Sequence, residues 1–313
     1  MSLDQSRITA VVVTYNRKDL LCECIHALLA QSRLPNEILI IDNASSDGTS
    51  DAVECFLTDG RTVYVNTGSN LGGAGGFSYG IRVAVQRGAD YIWVMDDDCI
   101  PQPDALEKLC EADAMLNGQY GFLSSKVLWK DGTLCTMNLQ RDTLTHTLES
   151  ISRDLQPVVM ASFVSLFLPR DVVLELGLPI KEFFIWTDDW EFTRRISRKY
   201  PCYAVACSVV VHKSRSNIGA NIATEAADRL DRFNYLYRND VVLYRREGFR
   251  GFAYEAARLT GHCLRVLLRS PDHKLTRLKK IVSGTASGLR FHPEIEYVNP
   301  AEAAGSGVQH ESS

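Results

Sequence analysis

Tyr91-Ile-Trp-Val-Met95 runs directly into Asp96-Asp97-Asp98. The apolar part has the length and composition of a strand buried on both faces, as in a parallel sheet. Three adjacent carboxylates at its end repel one another unless a cation neutralises them. Alternate residues of an extended segment point the same way, so Asp96 and Asp98 can share one ligand. Oxygen ligands of this kind suit Mg²⁺ or Mn²⁺, which can then bridge phosphate oxygens. The alternative is an acidic turn capping a helix that starts near Pro103, but capping needs fewer acids than three.

Upstream, strand and helix signals alternate. Ile8 to Thr14 is a nearly continuous apolar, β-branched run. Leu20, Leu21, Cys24, Ile25, Leu28 and Leu29 then share one helical stripe, with Asp19 as its expected N-cap and Pro35 ending the turn that follows. Strands are expected at Glu37 to Ile41 and Thr62 to Val65, and a helix from a glycine-rich turn to Arg87. This β-α-β rhythm predicts an open, mostly parallel, Rossmann-like α/β sheet wound on both faces. Such sheets bind ligands beyond the carboxyl ends of their strands. Thr14-Tyr15-Asn16, Asp42-Asn43, Asn66 to Asn70 and Asp96 to Asp98 all fall there.

Beyond about Tyr120 the pattern changes. Phe122 to Leu128, Val158 to Leu168 and Tyr203 to Val211 read as strands, and Asp188 to Lys199 as a short helix. Three helices are expected afterwards, at Ala226 to Arg246, Phe249 to Leu268 and Lys274 to Leu289. The chain therefore divides into a sheet domain over 1–223, a helical region over 224–300 and a polar tail, Ala301 to Ser313, expected to be disordered.

Composition narrows the partners. A formal net charge of -4 over 313 residues disfavours nucleic acid. Nine scattered cysteines with no CxxC pair read as reduced thiols, and zinc is not expected. No apolar stretch approaches the roughly 20 residues of a membrane span, and Asp4 and Arg7 precede the first strand where a secretory signal would be apolar. A cytoplasmic protein is expected. Yet Glu225 to His292 holds 14 Lys and Arg against 7 Asp and Glu. That excess suits solvated helix faces, or helices resting on anionic lipid.

Two further motifs carry chemistry. Asn70-Leu-Gly-Gly-Ala-Gly-Gly76 opens a helix, and glycines there let a phosphate approach the backbone. A dinucleotide fingerprint would instead follow the first strand, where Thr14-Tyr15-Asn16-Arg17 has no glycine, so a nicotinamide enzyme is disfavoured. Phe183-Phe-Ile-Trp-Thr-Asp-Asp-Trp-Glu191 sets Asp188, Asp189 and Glu191 beside aromatic rings, which raise a carboxylate's proton affinity and suit it to act as a base. An acidic helix start is the other reading, and spacing leaves both open. His212, at a strand end, becomes a metal-ligand candidate only if the fold brings it to Asp98.

Taken in order, Val12-Val-Thr-Tyr-Asn-Arg17, Ile41-Asp-Asn-Ala-Ser-Ser-Asp-Gly-Thr49, Asn70-Leu-Gly-Gly73, Asp96-Asp-Asp98, Thr187-Asp-Asp-Trp-Glu191 and His212 resemble the inverting family 2 glycosyltransferases of the GT-A fold, over roughly residues 8 to 215. The resemblance implies that Thr14, Asn16, Arg17 and Asp42 line a nucleotide pocket, joined by Asn70, Gly72, Gly73 and Asp97. It implies that Asp96 and Asp98 hold the diphosphate and Mn²⁺ or Mg²⁺ with His212 as a further ligand, and that Asp189 is the general base. A narrower likeness, including Tyr237-Arg-Asn239, is to bacterial galactofuranosyltransferases acting on lipid-linked carriers. Rhamnosyltransferases using dTDP-rhamnose share much of the pattern. The expected partners are a nucleotide-sugar donor, a glycan or polyprenyl-linked acceptor and the inner face of the cell membrane, with self-association possible. A nucleotidyltransferase, a non-catalytic nucleotide-sugar-binding protein and a membrane scaffold are the rival readings.

Overall fold

The structure, a computed structural model, describes residues 6–299. The tail expected to be disordered lies outside the described residues. Among the described residues nine strands form one sheet: β1 Ile8–Thr14, β2 Glu37–Asp42, β3 Thr62–Asn66, β4 Tyr91–Asp96, β5 Cys99–Pro101, β6 Leu123–Trp129, β7 Leu155–Pro157, β8 Leu166–Pro169 and β9 Tyr203–His212. Their order is β3-β2-β1-β4-β8-β6-β9-β5, with β7 also on β9. The half formed by β3, β2, β1 and β4 is wholly parallel. The other half is mixed, because β8 runs antiparallel to both β4 and β6.

The alternation along β1 shows why the sheet is covered twice. Ala10 and Val12 join Ile38, Ile40, Trp93 and Met95 in one core, under the helices α1 Lys18–Leu29 and α4 Ala105–Leu116. Val11 and Val13 join Leu39, Ile41, Ile92 and Val94 in the other, under α3 Gly72–Gln86. A short helix, α2 Thr49–Val53, and two more, α5 Arg170–Leu176 and α6 Asp188–Ser197, complete this part. The C-terminal helices are α7 Arg232–Arg245, α8 Gly248–Arg269 and α9 Lys274–Arg290. They have a core of their own around Phe233, Tyr237, Val266 and Ile281. They are also fastened to the sheet, since Val242 packs with Ala74, Ile180 and Phe183. No helix among the described residues is long and apolar enough to cross a membrane.

Three local expectations need correcting. Asp19 lies inside the first turn of α1, and Arg17 holds the N-cap position. Lys18 N–H, at the helix start, donates instead to Asp47 Oδ2 at 3.1 Å. The run Val158 to Leu168 is not one strand. β7 pairs with β9 and β8 lies between β4 and β6, so the residues between them must cross from one place to the other. Val158, Met160, Ala161, Phe163 and Val164 stay buried during that crossing, which is why the apolar pattern imitates a strand. The helix expected from Ala226 begins only at Arg232, after a 3-10 turn at Ala227–Arg229. Buried Arg277 takes the carbonyls of Ile222 and Glu225, at 2.6 and 2.9 Å, and holds this approach out of helical form.

Candidate active site

Strand register brings the sequence motifs together. Thr14 lies beside Asp42, and Val13 beside Asp96, so the carboxyl ends of β1, β2 and β4 form one rim. Thr14 Oγ1 donates to Asp97 Oδ2 at 2.8 Å. Asn16, at φ 53°, locks the next loop: its N–H donates to Ser45 Oγ and its Oδ1 accepts from Ser46 N–H, both at 2.8 Å. Asp42 is buried, with Tyr64 Oη–H donating to one oxygen at 2.6 Å and Ser45 N–H to the other at 2.9 Å.

The three aspartates take different roles. A separate strand, β5, follows them, and Asp104 is the N-cap of α4, so they do not cap that helix. Asp97 points back to Thr14 and to Arg17 Nη1 at 3.2 Å, and the same nitrogen reaches Asp98 Oδ2 at 2.9 Å. Asp98 Oδ1 is buried without a directed hydrogen-bond partner, although His212 Nε2 stands 3.0 Å away. The imidazole is oriented from behind, its Nδ1–H donating to Asn138 Oδ1 at 2.8 Å. Pairing of Cys99 with His212 between β5 and β9 fixes that meeting. Ligand atoms of Asp96, Asp98, Cys99 and His212 all lie within 4.8 Å of one another. An orphaned carboxylate oxygen, a second carboxylate and a pre-oriented imidazole fit a divalent cation.

Electrostatics agree with that fit. Burial, then the neighbouring Asp98 charge, pushes the Asp96 carboxyl up to about 7. Burial likewise raises Asp97 to about 6, against the pull of Arg17. Burial would discharge His212, but the adjoining Asp98 carboxylate, Cys135 and the Asp96 charge together outweigh that and carry it up to about 10. The buried Cys99 thiol is likewise held protonated.

Asp189 is the second residue of α6. It is partly accessible, whereas Asp188 is buried. Burial raises the Asp189 carboxyl well above the usual carboxylate range, and the charges of Asp188 and then Asp96 raise it further. Glu191 is excluded as a base, because it is buried and ion-paired with Arg195 and Arg246.

The loop before Asp189 is the feature that sequence reasoning missed. Phe184, Trp186 and Thr187 all have positive φ, at 64°, 65° and 69°, a conformation that costs non-glycine residues energy. Asn239 of α7 holds it, its amide donating to the carbonyls of Phe183, Ile185 and Trp186 at 3.0 to 3.1 Å. Thr187 Oγ1 donates to Asp240 at 2.7 Å. The glycine-rich motif meets the same loop. Ala74 N–H donates to Phe184 O at 3.2 Å, and a Cβ on Gly72 (φ 73°) would lie 2.1 Å from that oxygen. Asn43 Nδ2 donates to Gly72 O, and Asn70 Oδ1 accepts from Gly72 N–H. A Cβ on Gly73, by contrast, would meet nothing within 4 Å. Gly72→Ala and Asn239→Ala are each expected to lower thermal stability, the latter by on the order of 2 kcal/mol through the abandoned carbonyls of Ile185 and Trp186. Both should reduce turnover more than nucleotide affinity, as measured by initial rates against calorimetric titration.

Residues 9–117 match the family described as Glycosyl transferase family 2. Galactofuranosyltransferase GlfT1 of Mycolicibacterium smegmatis is 27% identical over 268 residues, 78% of this chain and 84% of that protein. GlfT1 of Mycobacterium tuberculosis is 31% identical over 199 residues, 61% of this chain and 64% of that one. Among solved structures, GalNAc-T7 with UDP, GalNAc and Mn²⁺ aligns with a TM-score of 0.57 at 14% identity, covering 74% of this chain and 47% of that one. S. aureus TarS 1-349 aligns at 0.52 and 15%, covering 91% and 73%. At such identities the structural likeness speaks for the fold, and it is the fold that holds the matched motifs around one rim. Over residues 9–117 the chain is thus similar to glycosyl transferase family 2, and the chain as a whole has the GT-A fold.

Proposed function

We propose that this protein moves a sugar, with inversion, from a nucleoside diphosphate to a glycan or lipid-linked acceptor in bacterial cell-surface polysaccharide synthesis. The observation that carries the reading is the pairing of a cation-fitted carboxylate cluster with a separate carboxylate, Asp189, whose proton affinity is raised. The cluster suits a departing diphosphate, and Asp189 suits the attacking hydroxyl. A single displacement needs both and no enzyme nucleophile.

In this mechanism Thr14, Asn16, Arg17 and Asp42 line the nucleotide pocket, with the open backbone at Gly73 beside them. Arg17, half exposed above Asp97 and Asp98, offers its guanidinium to the diphosphate. Asp96, Asp98 and His212 would hold Mn²⁺ or Mg²⁺, and the imidazole nitrogen tilts the choice toward Mn²⁺. When bound, such a cation neutralises charge on the leaving diphosphate. Asp189 accepts the proton of the acceptor hydroxyl as the new glycosidic bond forms.

UDP-galactofuranose is the proposed donor, supported by the GlfT1 relatives, and dTDP-rhamnose is the second reading. A panel of nucleotide sugars, assayed for release of nucleoside diphosphate with and without Mn²⁺, tests the proposal. Turnover confined to UDP-galactofuranose is expected. Turnover confined to dTDP-rhamnose would reassign the donor, and no release from any nucleotide sugar would leave a binding protein instead.

A further inference from the structure

Helix α8 is built inside out. Its inner side carries Glu255, which is buried, and Arg258, whose side chain is largely so. Arg258 pairs with Glu255 at 2.8 Å and with Asp240 of α7 at the short limit of such contacts. Its outer side carries Phe249, 84% exposed, Phe252, 66%, and Leu268, 80%, with Leu264 and Leu267 about half exposed. At 100° per residue these five fall within an arc of about 160°, along a helix about 33 Å long. The same arc holds Ala253, Ala256, Ala257 and Thr260, and its only charge is Arg250 at the edge. A helix facing water shows the opposite order, with charges outward and apolar groups inward. Helix α9, packed beside it, adds exposed Leu275, Val282 and Leu289 at seven-residue spacing.

Charge identifies what covers this face. From Gly248 to Arg290 there are nine Lys and Arg and only two acids, Glu255 and Asp272. Arginines hold both acids, Arg258 the first and Arg277 the second. Arg250, Arg265, Arg269, Lys279 and Arg290 are thus left without an acidic partner within the two helices. On the helical wheel Arg250 borders the apolar arc of α8, and Lys279 and Arg290 lie within about 100° of the exposed stripe of α9. Apolar side chains bordered by unmatched cations complement an anionic lipid surface. A second copy of the chain fits poorly, because a two-fold contact would set this basic border against itself.

We propose that α8 lies in the plane of an anionic lipid surface, with Phe249, Phe252, Leu264, Leu267 and Leu268 entering the acyl boundary and Arg250, with Lys279 and Arg290 of α9, meeting headgroup phosphates. This goes beyond the sugar-transfer reading and stands whether or not that reading does. It also has a geometric consequence for the site. Arg258 bonds Asp240, and Asp240 bonds Thr187, one residue before the acidic start of α6. The docked helix is therefore strutted to the loop that presents Asp189, which sets the height of that loop above the lipid.

The test is sedimentation of the full chain with sucrose-loaded vesicles of phosphatidylglycerol and phosphatidylcholine, against phosphatidylcholine alone. Strong, salt-sensitive binding to the first and weak binding to the second is expected. The double variant Phe249→Ser, Phe252→Ser should lower partitioning by about tenfold or more. Arg250→Gln with Arg290→Gln should lower it too and flatten the salt dependence. Unchanged melting temperatures would show that both variants fold, since all four side chains are exposed. Sugar transfer to a water-soluble acceptor should be unaffected, which separates this proposal from the catalytic one. No binding to either vesicle, or binding that the serine variant leaves intact, overturns it. So does concentration-dependent self-association that the serine variant abolishes, since the face would then cover a second copy.

Discussion

Asp189→Asn is expected to lower sugar transfer by about 10²- to 10⁴-fold, the usual contribution of a positioned general base. Nucleotide affinity should stay close to that of the parent, because Asp189 lies outside the cation-fitted cluster. The substitution keeps size and shape, and Asn can still accept the hydrogen bond that Trp190 N–H gives Asp189 Oδ1 at 2.7 Å. Removing the charge also relieves repulsion with Asp188, so the variant should be at least as stable as the parent near neutral pH. The parent's pH profile is a linked test. A base works only when unprotonated, so turnover must fall as pH drops through its titration. Burial and the Asp188 and Asp96 charges raise that titration, so the acid limb should lie above the ordinary carboxylate range and vanish in the variant. Near-normal transfer by Asp189→Asn, measured with saturating donor, would remove the residue from the mechanism.

The parallel half of the sheet was legible because its signals are local. β1 through β4 are short apolar runs ending in polar clusters, and register alone then sets Thr14 by Asp42 and Val13 by Asp96. β4 ends at Asp96, and Asp97 and Asp98 lie in the turn after it. That turn, and not strand alternation, groups Asp98 with Asp96 while Asp97 turns back to Thr14 and Arg17. Contacts across long stretches of chain were not legible. His212 reaches Asp98 only because β5 pairs with β9, and nothing in the run Val209 to Val211 announces that pairing. Asn138, which orients the imidazole, sits in a polar segment with no periodicity at all. The positive-φ loop before Asp189 contains no glycine, so its shape is imposed by Asn239, more than 50 residues later. Tyr237-Arg-Asn239 could be matched to a family, but its service to that loop could be seen only in space. The glycine motif was legible as a close approach, yet at Gly72 the approaching group is the chain's own Phe184 carbonyl. Exposed leucines on α8 matched the helical period as well as buried ones would, so periodicity fixed the helix and not its outward face.

Asp98→Ala is expected to remove metal-dependent nucleotide binding. Titration of UDP into the parent should be tighter with Mn²⁺ than without it, by one to several orders of magnitude if the cation bridges protein and diphosphate. In the variant the two titrations should coincide. Asp98 is the choice because it joins the cluster at two points: Oδ1 faces His212, and Oδ2 receives Arg17. Deleting it takes a ligand from the cation and an anchor from Arg17 at once. The freed guanidinium could then strengthen metal-independent binding, so the decisive quantity is the difference made by Mn²⁺ and not affinity alone. His212→Ala separates the two effects, since it removes a ligand and leaves both Arg17 contacts in place. It should weaken the Mn²⁺ effect while leaving the metal-free affinity unchanged. Asp97→Asn is the contrasting control. Asp97 lies outside the four-group cluster, and its amide replacement can still accept from Thr14. Its Mn²⁺ effect should survive, and equal losses in Asp97→Asn and Asp98→Ala would mean that general acidity, not a defined cation site, is what the three aspartates supply.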